Sequence, residues 1–129
     1  MAHIPIGTKG EEIRLVTTEN AISFLDMEGA RVLSTPHMIG LMEWAAANAM
    51  KPFCDEGEIS VGTAINIEHR APTTVGAEVR AEAELESVSD RFYIFRVTAH
   101  NGVKEIGRGT VTRAFVNPAK VAERHLNNK

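Results

Sequence analysis

The chain has 129 residues, of which 43% are hydrophobic and 24% charged, with a formal charge of -3; it is long enough for one ordinary domain with a real core. Charges of both signs are interspersed, so no basic stripe offers itself to a nucleic acid and no charged tail is present. No apolar run reaches the roughly 18 residues that span a bilayer, and MAHIPIGTKG has no basic segment leading into an apolar one, so neither a membrane partner nor an export signal is expected.

Residues 9–20, KGEEIRLVTTEN, alternate weakly, with Ile13 and Val16 as apolar points, and predict a first strand. Residues 21–34, AISFLDMEGARVLS, have no clear period and predict a short helical turn and a loop, of the kind that often covers a site. The stretch TPHMIGLMEWAAANAM, residues 35–50, predicts a helix. Ser34 or Thr35 can cap it, Pro36 suits its first position, and it runs to about Lys51, where Pro52 stops it. The loop that follows holds the only cysteine, Cys54. It can form no internal disulfide and belongs to no zinc pattern, which points to a reducing cytoplasm.

Four strand-like runs come next. The first is ISVGTAINIEHR, residues 59–70. In residues 75–88, VGAEVRAEAELESV, the residues Val75, Ala77, Val79, Ala81, Ala83 and Leu85 share one face, and Glu78, Arg80, Glu82, Glu84 and Glu86 the other. That is a sheet with one wet side. Ser89-Asp90 predicts a turn, and residues 91–100, RFYIFRVTAH, a strand. Asn101-Gly102 predicts a two-residue hairpin of type I′. Residues 104–116 form the last strand, in which Gly107 and Gly109 suit a bulge or a close backbone approach. Pro118 opens a short amphipathic helix with Val121, Ala122, His125 and Leu126 as its packing side. Residues 1–129 thus read as a single α+β domain. A curved antiparallel sheet wraps around one long apolar helix, the hotdog fold.

Glu43 is the anomaly in this helix. At about 100° per residue its face carries Pro36, Ile39, Gly40, Ala46, Ala47 and Met50, none able to pair with a carboxylate. Glu43 is either buried or opens onto a crevice. A buried, unpaired carboxylate either finds a partner or has its pKa raised, and a raised pKa suits acid–base chemistry near neutral pH. The structural alternatives are the rim of a dimer contact or an ion pair with a distant Arg. In ISVGTAINIEHR, Val61, Thr63, Ile65, Ile67 and His69 share the face expected to meet the helix. Taken alone, His69 reads as a structural residue and Thr35 as a cap.

Together, TPHMIGLMEWAAANAMKPF, EGEISVGTAINIEH and VTAHNGVKEIGRGTVTRAFV resemble the fluoroacetyl-CoA thioesterase-like family of hotdog acyl-CoA thioesterases. The resemblance covers residues 32–121, with a Thr eight residues before the helix Glu and a His twenty-six after it. It implies that Thr35, Glu43 and His69 form the catalytic constellation, that Gly62 lies against the acyl-CoA, and that His69 and Arg113 help to hold the substrate. It also implies at least a homodimer, with sites at the subunit interface and tetramers left open. In residues 21–33 the chain departs from the fluoroacetyl-specific member: the stretch is shorter and Phe24 is its only aromatic residue. A general acyl-CoA thioesterase is therefore expected rather than fluoroacetyl selectivity.

The expected reaction is hydrolysis of an acyl-CoA to an acid and free CoA. Glu43 attacks the carbonyl or acts as base on water, and His69 moves a proton or orients water. Thr35 stands two turns from Glu43, a rise of about 12 Å, so it reaches Glu43 through substrate or water, or serves the partner's site. No cofactor is expected beyond the CoA of the substrate, and no metal, because the five histidines have no HExxH spacing. Arg70, Arg91, Lys104 and Arg108 are the candidates for the CoA phosphates. A hydratase or dehydratase on the same fold, and a silent acyl-CoA-binding dimer, are the alternatives.

Overall fold

The structure, a computed structural model, describes residues 3–23 and 31–127. Strands β1 (Lys9–Leu15), β4 (Ile59–His69), β5 (Glu78–Ser89), β6 (Phe92–His100) and β7 (Glu105–Val116) form one sheet in the order β1-β5-β6-β7-β4. Every pairing in it is antiparallel. Helix α1 (Thr35–Met50) touches all five strands, so the sheet curves around it in the hotdog arrangement. The alternation of β5 is realised as expected. Val79, Ala81, Ala83 and Leu85 are buried, while Glu78, Arg80, Glu82 and Glu86 face water. β6 repeats the pattern with Tyr93, Phe95, Val97 and Ala99 inward. From α1, Met38, Leu41, Met42, Ala45, Ala46, Ala49 and Met50 complete the core.

Small residues set the helix close to the sheet. A Cβ built on Gly10 of β1 would collide with the Ala45 carbonyl oxygen and come within 2.6 Å of the Ala49 nitrogen. Backbone atoms cannot move aside as a flexible side chain would. Gly10→Ala is therefore expected to cost about 2 kcal/mol or more, as overpacking of a tight contact does, read as a lower urea midpoint at unchanged slope.

Three expectations need correction. Residues 21–34 hold no helical turn among the described residues. Instead β2 (Ala21–Ser23) pairs with β3 (Arg31–Leu33), so that Ile22 faces Val32, the β-branched side chains favouring a paired strand. Phe24 and the rest of residues 24–30 lie outside the described residues. The β6–β7 turn is not a two-residue type I′ hairpin. His100 pairs with Glu105, and Asn101–Lys104 form the loop with positive φ at Gly102 but not at Asn101. The Asn101 carboxamide oxygen accepts from the Val103 and Lys104 N–H groups at 2.9 and 3.0 Å, the local bond by which Asn makes turns of its own. The two-residue hairpin lies at Asp90-Arg91 instead, with Asp90 at φ 58. Finally, α2 (Pro118–Asn127) buries none of its residues, and Val121 and Leu126 are exposed. Asn117 accepts from the Lys120 N–H at 3.2 Å and starts this helix beyond the last pair of β7, so its expected packing side finds no core to meet.

Candidate active site

The start of α1 sets Thr35. Of the two expected caps, Ser34 serves. Its backbone is extended, its hydroxyl oxygen accepts from the His37 N–H at 3.4 Å, and His37 Nδ1 lies 2.5 Å from that oxygen. Ser34 thereby leaves the Thr35 hydroxyl free, and it stands 2.8 Å from Nδ1 of His69 at the end of β4. The other ring nitrogen, Nε2, is buried and has no hydrogen-bond partner among the described residues. An unmet buried polar group costs about 1–3 kcal/mol, so this nitrogen is poised for a group the described residues do not supply.

Two turns beyond Thr35, Glu43 answers the question its apolar face raises. The carboxylate Oε2 lies 3.5 Å from Nη1 of Arg113, a side chain only 8% exposed against 31% for Glu43. Arg113 is fixed in turn by Ser60. Its Nε donates to the Ser60 hydroxyl at 3.0 Å and its Nη2 to the Ser60 carbonyl at 2.8 Å. Burial lowers the guanidinium pKa, and the charge and hydrogen bond of Glu43 act against that shift. The carboxylate has thus found a partner and also opens onto a crevice. Gly62 faces it: a Cβ there would sit 3.2 Å from Oε2 and 3.3 Å from Oε1. A bare glycine lets the carboxylate lie against the strand.

The facing of β4 differs from strict alternation. The register against β7 shifts between Gly62 and Ala64. Before this bulge Gly62 and Ser60, not Val61 and Thr63, share the helix side with Arg113. After it, Ile65, Ile67 and His69 do. An extra residue in one strand re-aims every side chain on one side of it. Nothing in the sequence singles out Ser60; a glycine inside a strand pattern, Gly62, is the one hint of the bulge. On β7, a Cβ at Gly107 would meet Met38 Sδ at 2.6 Å, and one at Gly109 would collide with the Asn66 carbonyl, the close approach expected of both.

Beside Glu43 runs a groove of about 730 Å³ between α1 and the start of β4. Trp44 and Ile59, both exposed, form its walls. Gly40 and Ala47 flank Glu43 along it. Glycine inside a helix costs about 1 kcal/mol relative to alanine, and a Cβ on Gly40 would meet nothing within 4 Å. Packing among the described residues therefore does not require this glycine. Cys54 lines the groove's far end. It is half-buried, and burial, with Glu58 and Asp55 adding to it, pushes its thiol pKa up, the opposite of an activated nucleophile. Among the candidate phosphate ligands, Arg70 pairs with Glu68 at 3.4 Å, Arg108 with Glu105 at 3.6 Å, and Arg91 stacks over Phe92 at 5.2 Å.

Two groups result. Glu43, Gly62, Arg113 and Ser60 make one; Thr35 and His69 make the other. Thr35 does not touch Glu43, as the two-turn spacing predicts. Along β4, Gly62 and His69 are about 20 Å apart, so one chain does not bring Glu43 and His69 together.

A family model described as fluoroacetyl-CoA-specific thioesterase matches residues 16–119. The fluoroacetyl-CoA thioesterase of Streptantibioticus cattleyicolor is 48% identical over 93 residues, 72% of this chain and 67% of that protein. A solved structure of a fluoroacetyl-CoA thioesterase aligns with a TM-score of 0.85 at 36% identity, covering 98% of both chains. A thioesterase superfamily member from Thermus thermophilus aligns at 0.86 and 29% identity, covering 99% of this chain and 96% of that one. With its five-stranded sheet, its buried helix and the acid set on that helix, the chain belongs to the fluoroacetyl-CoA-specific thioesterase family.

Proposed function

We propose that the protein hydrolyses acyl-CoA thioesters to a carboxylic acid and free CoA. The observation that carries this reading is the Glu43 carboxylate, held by Arg113, laid against Gly62 and open to an apolar groove. A carboxylate so placed serves either of two routes. It attacks the thioester carbonyl, the C–S bond breaks, the thiolate leaves to take up a proton, and water then opens the mixed anhydride. Or it takes a proton from water as the resulting hydroxide attacks. In both, His69 gives a proton to the leaving sulfur or orients the water. In the tautomer where the Thr35 hydroxyl donates to His69 Nδ1, the proton sits on Nε2, the nitrogen without a partner among the described residues. Gly62 provides room for the thioester beside the acid, and Arg113 orients Glu43 and the substrate carbonyl. The acid, imidazole, hydroxyl and guanidinium are protein side chains, so the only CoA in the reaction is the substrate's.

The working unit is a homodimer. β4 is an eleven-residue edge strand. It has no Pro or Lys to discourage pairing, and Ile59 and Ile65 are exposed on it. Such an edge calls for another strand. Antiparallel pairing with a second copy, centred on Asn66, sets the Gly62–Thr63 bulge opposite His69 of the partner subunit. That offers Glu43 to the unpartnered Nε2 across the interface. Among the described residues no helix is long and apolar enough to cross a membrane. The free thiol of Cys54 fits a reducing cytoplasm.

The test is release of free thiol from acetyl-, branched, aromatic and halogenated acyl-CoAs, followed with a thiol reagent. Turnover of several of them, with no preference for the fluoroacetyl thioester, is the expected result. Hydration of an enoyl-CoA without thiol release, or tight acyl-CoA binding without turnover, overturns the proposal.

A further inference from the structure

We propose that the groove beside Glu43 is an acyl channel that selects medium-length straight chains, with Gly40 and Ala47 as its specificity determinants. This deepens the thioesterase reading and rests on it. Four observations support it. The groove is continuous with the Glu43 carboxylate and its volume of about 730 Å³ falls in the range of pockets that hold whole small molecules. From Glu43 to Lys51 it follows two helical turns, about 12 Å, several times the reach of a two-carbon acyl group. Its walls include the apolar side chains Trp44 and Ile59, both exposed in the single chain. And the residues three before and four after Glu43 are the two smallest, Gly40 with open space where its Cβ would be. A glycine that no contact among the described residues requires leaves room for something that enters from outside.

The charges argue against the CoA phosphates as the occupant. Arg113 is committed to Ser60 and Glu43. Lys51 and Arg113 share the groove's lining with Glu43 and Glu58, so no net positive charge awaits a polyanion.

The experiment measures kcat/KM for acetyl-, butanoyl-, hexanoyl-, octanoyl- and decanoyl-CoA. The expected result is a rise of about threefold per added methylene, the gain from burying each one, until the groove is full. Ala47→Leu and Gly40→Leu narrow the channel, and each is expected to lower the octanoyl-to-acetyl ratio at least tenfold. Gly40→Ala improves helix propensity, so its thermal midpoint rises while the same ratio falls; it guards against a misfolded leucine variant. A second readout needs no turnover. Cys54, the only cysteine, lines the same groove, so its alkylation by a maleimide is expected to slow at least fivefold in S-octyl-CoA thioether but not in free CoA. A flat or falling chain-length profile, with thiol release from acetyl-CoA still dependent on Glu43, overturns the channel and leaves the thioesterase standing. Thiol release from none of the esters, with Cys54 protected by the octyl thioether, overturns the thioesterase and keeps the channel as a binding site. Equal protection by free CoA and the octyl thioether overturns the channel in either case.

Discussion

Glu43→Gln is expected to lower kcat for thiol release at least about 10³-fold, the scale of losing a positioned carboxylate in acid–base or nucleophilic catalysis. The amide is nearly the same shape. Its oxygen still accepts from Arg113 Nη1, so the side chain keeps its place against Gly62. What disappears is the charge. Arg113, 8% exposed, is then buried without a counter-ion. A fully buried pair broken this way costs several kcal/mol, but Glu43 is open enough to water for solvent to take up much of that loss, and about 1–2 kcal/mol is expected. A urea midpoint measures it. The folded variant thus separates chemistry from stability. If it retains more than a tenth of wild-type kcat, the carboxylate is not the reacting group. Hydrolysis in ¹⁸O water by the wild-type enzyme then tells the two routes apart: label enters the Glu43 carboxyl only if an anhydride forms and water opens it at the Glu43 carbonyl.

How far the sequence reveals the site depends on which forces act over short distances. The β5 faces are legible because one side of that strand is wet and the other dry over its whole length. The helix is legible because apolar residues cover most of it and Pro36 and Pro52 bracket it. That Glu43 must find a partner follows from the cost of an isolated charge, but which partner does not: Arg113 is seventy residues away and reaches it only through the pairing of β4 with β7. The face of β4 fails for a similar reason. The bulge at Gly62 reverses the alternation before it, and the register that creates it belongs to two strands at once. The choice between Ser34 and Thr35 as the cap is decided by backbone geometry at the helix start, and it alone frees Thr35 for His69. The open apolar side of α2 is visible in the sequence as a pattern, but a pattern does not say whether the chain itself has anything to place against it.

Co-purified heterodimers of a Glu43→Gln chain and a His69→Ala chain, carrying different tags, are expected to recover about half the wild-type activity, although each homodimer is inactive. The argument is geometric. Within one chain the acid sits beside Gly62 and the imidazole beside Thr35, about 20 Å along the strand, too far for one thioester to meet both. The proposed two-fold dimer would have two identical composite sites, each taking the acid from one subunit and the imidazole from the other. In the mixed dimer one site receives the Gln and the Ala together and is dead. The other receives the intact Glu43 of the His69→Ala chain and the intact His69 of the Glu43→Gln chain, and works normally. Were each site built within a single subunit, both sites of the mixed dimer would carry one lesion and thiol release would stay at the level of the inactive parents. The recovered activity also reads the role of His69. A dimer whose His69→Ala homodimer already runs at near wild-type rate would show that the imidazole, with its buried unpartnered Nε2, only holds Thr35 and the helix start in place.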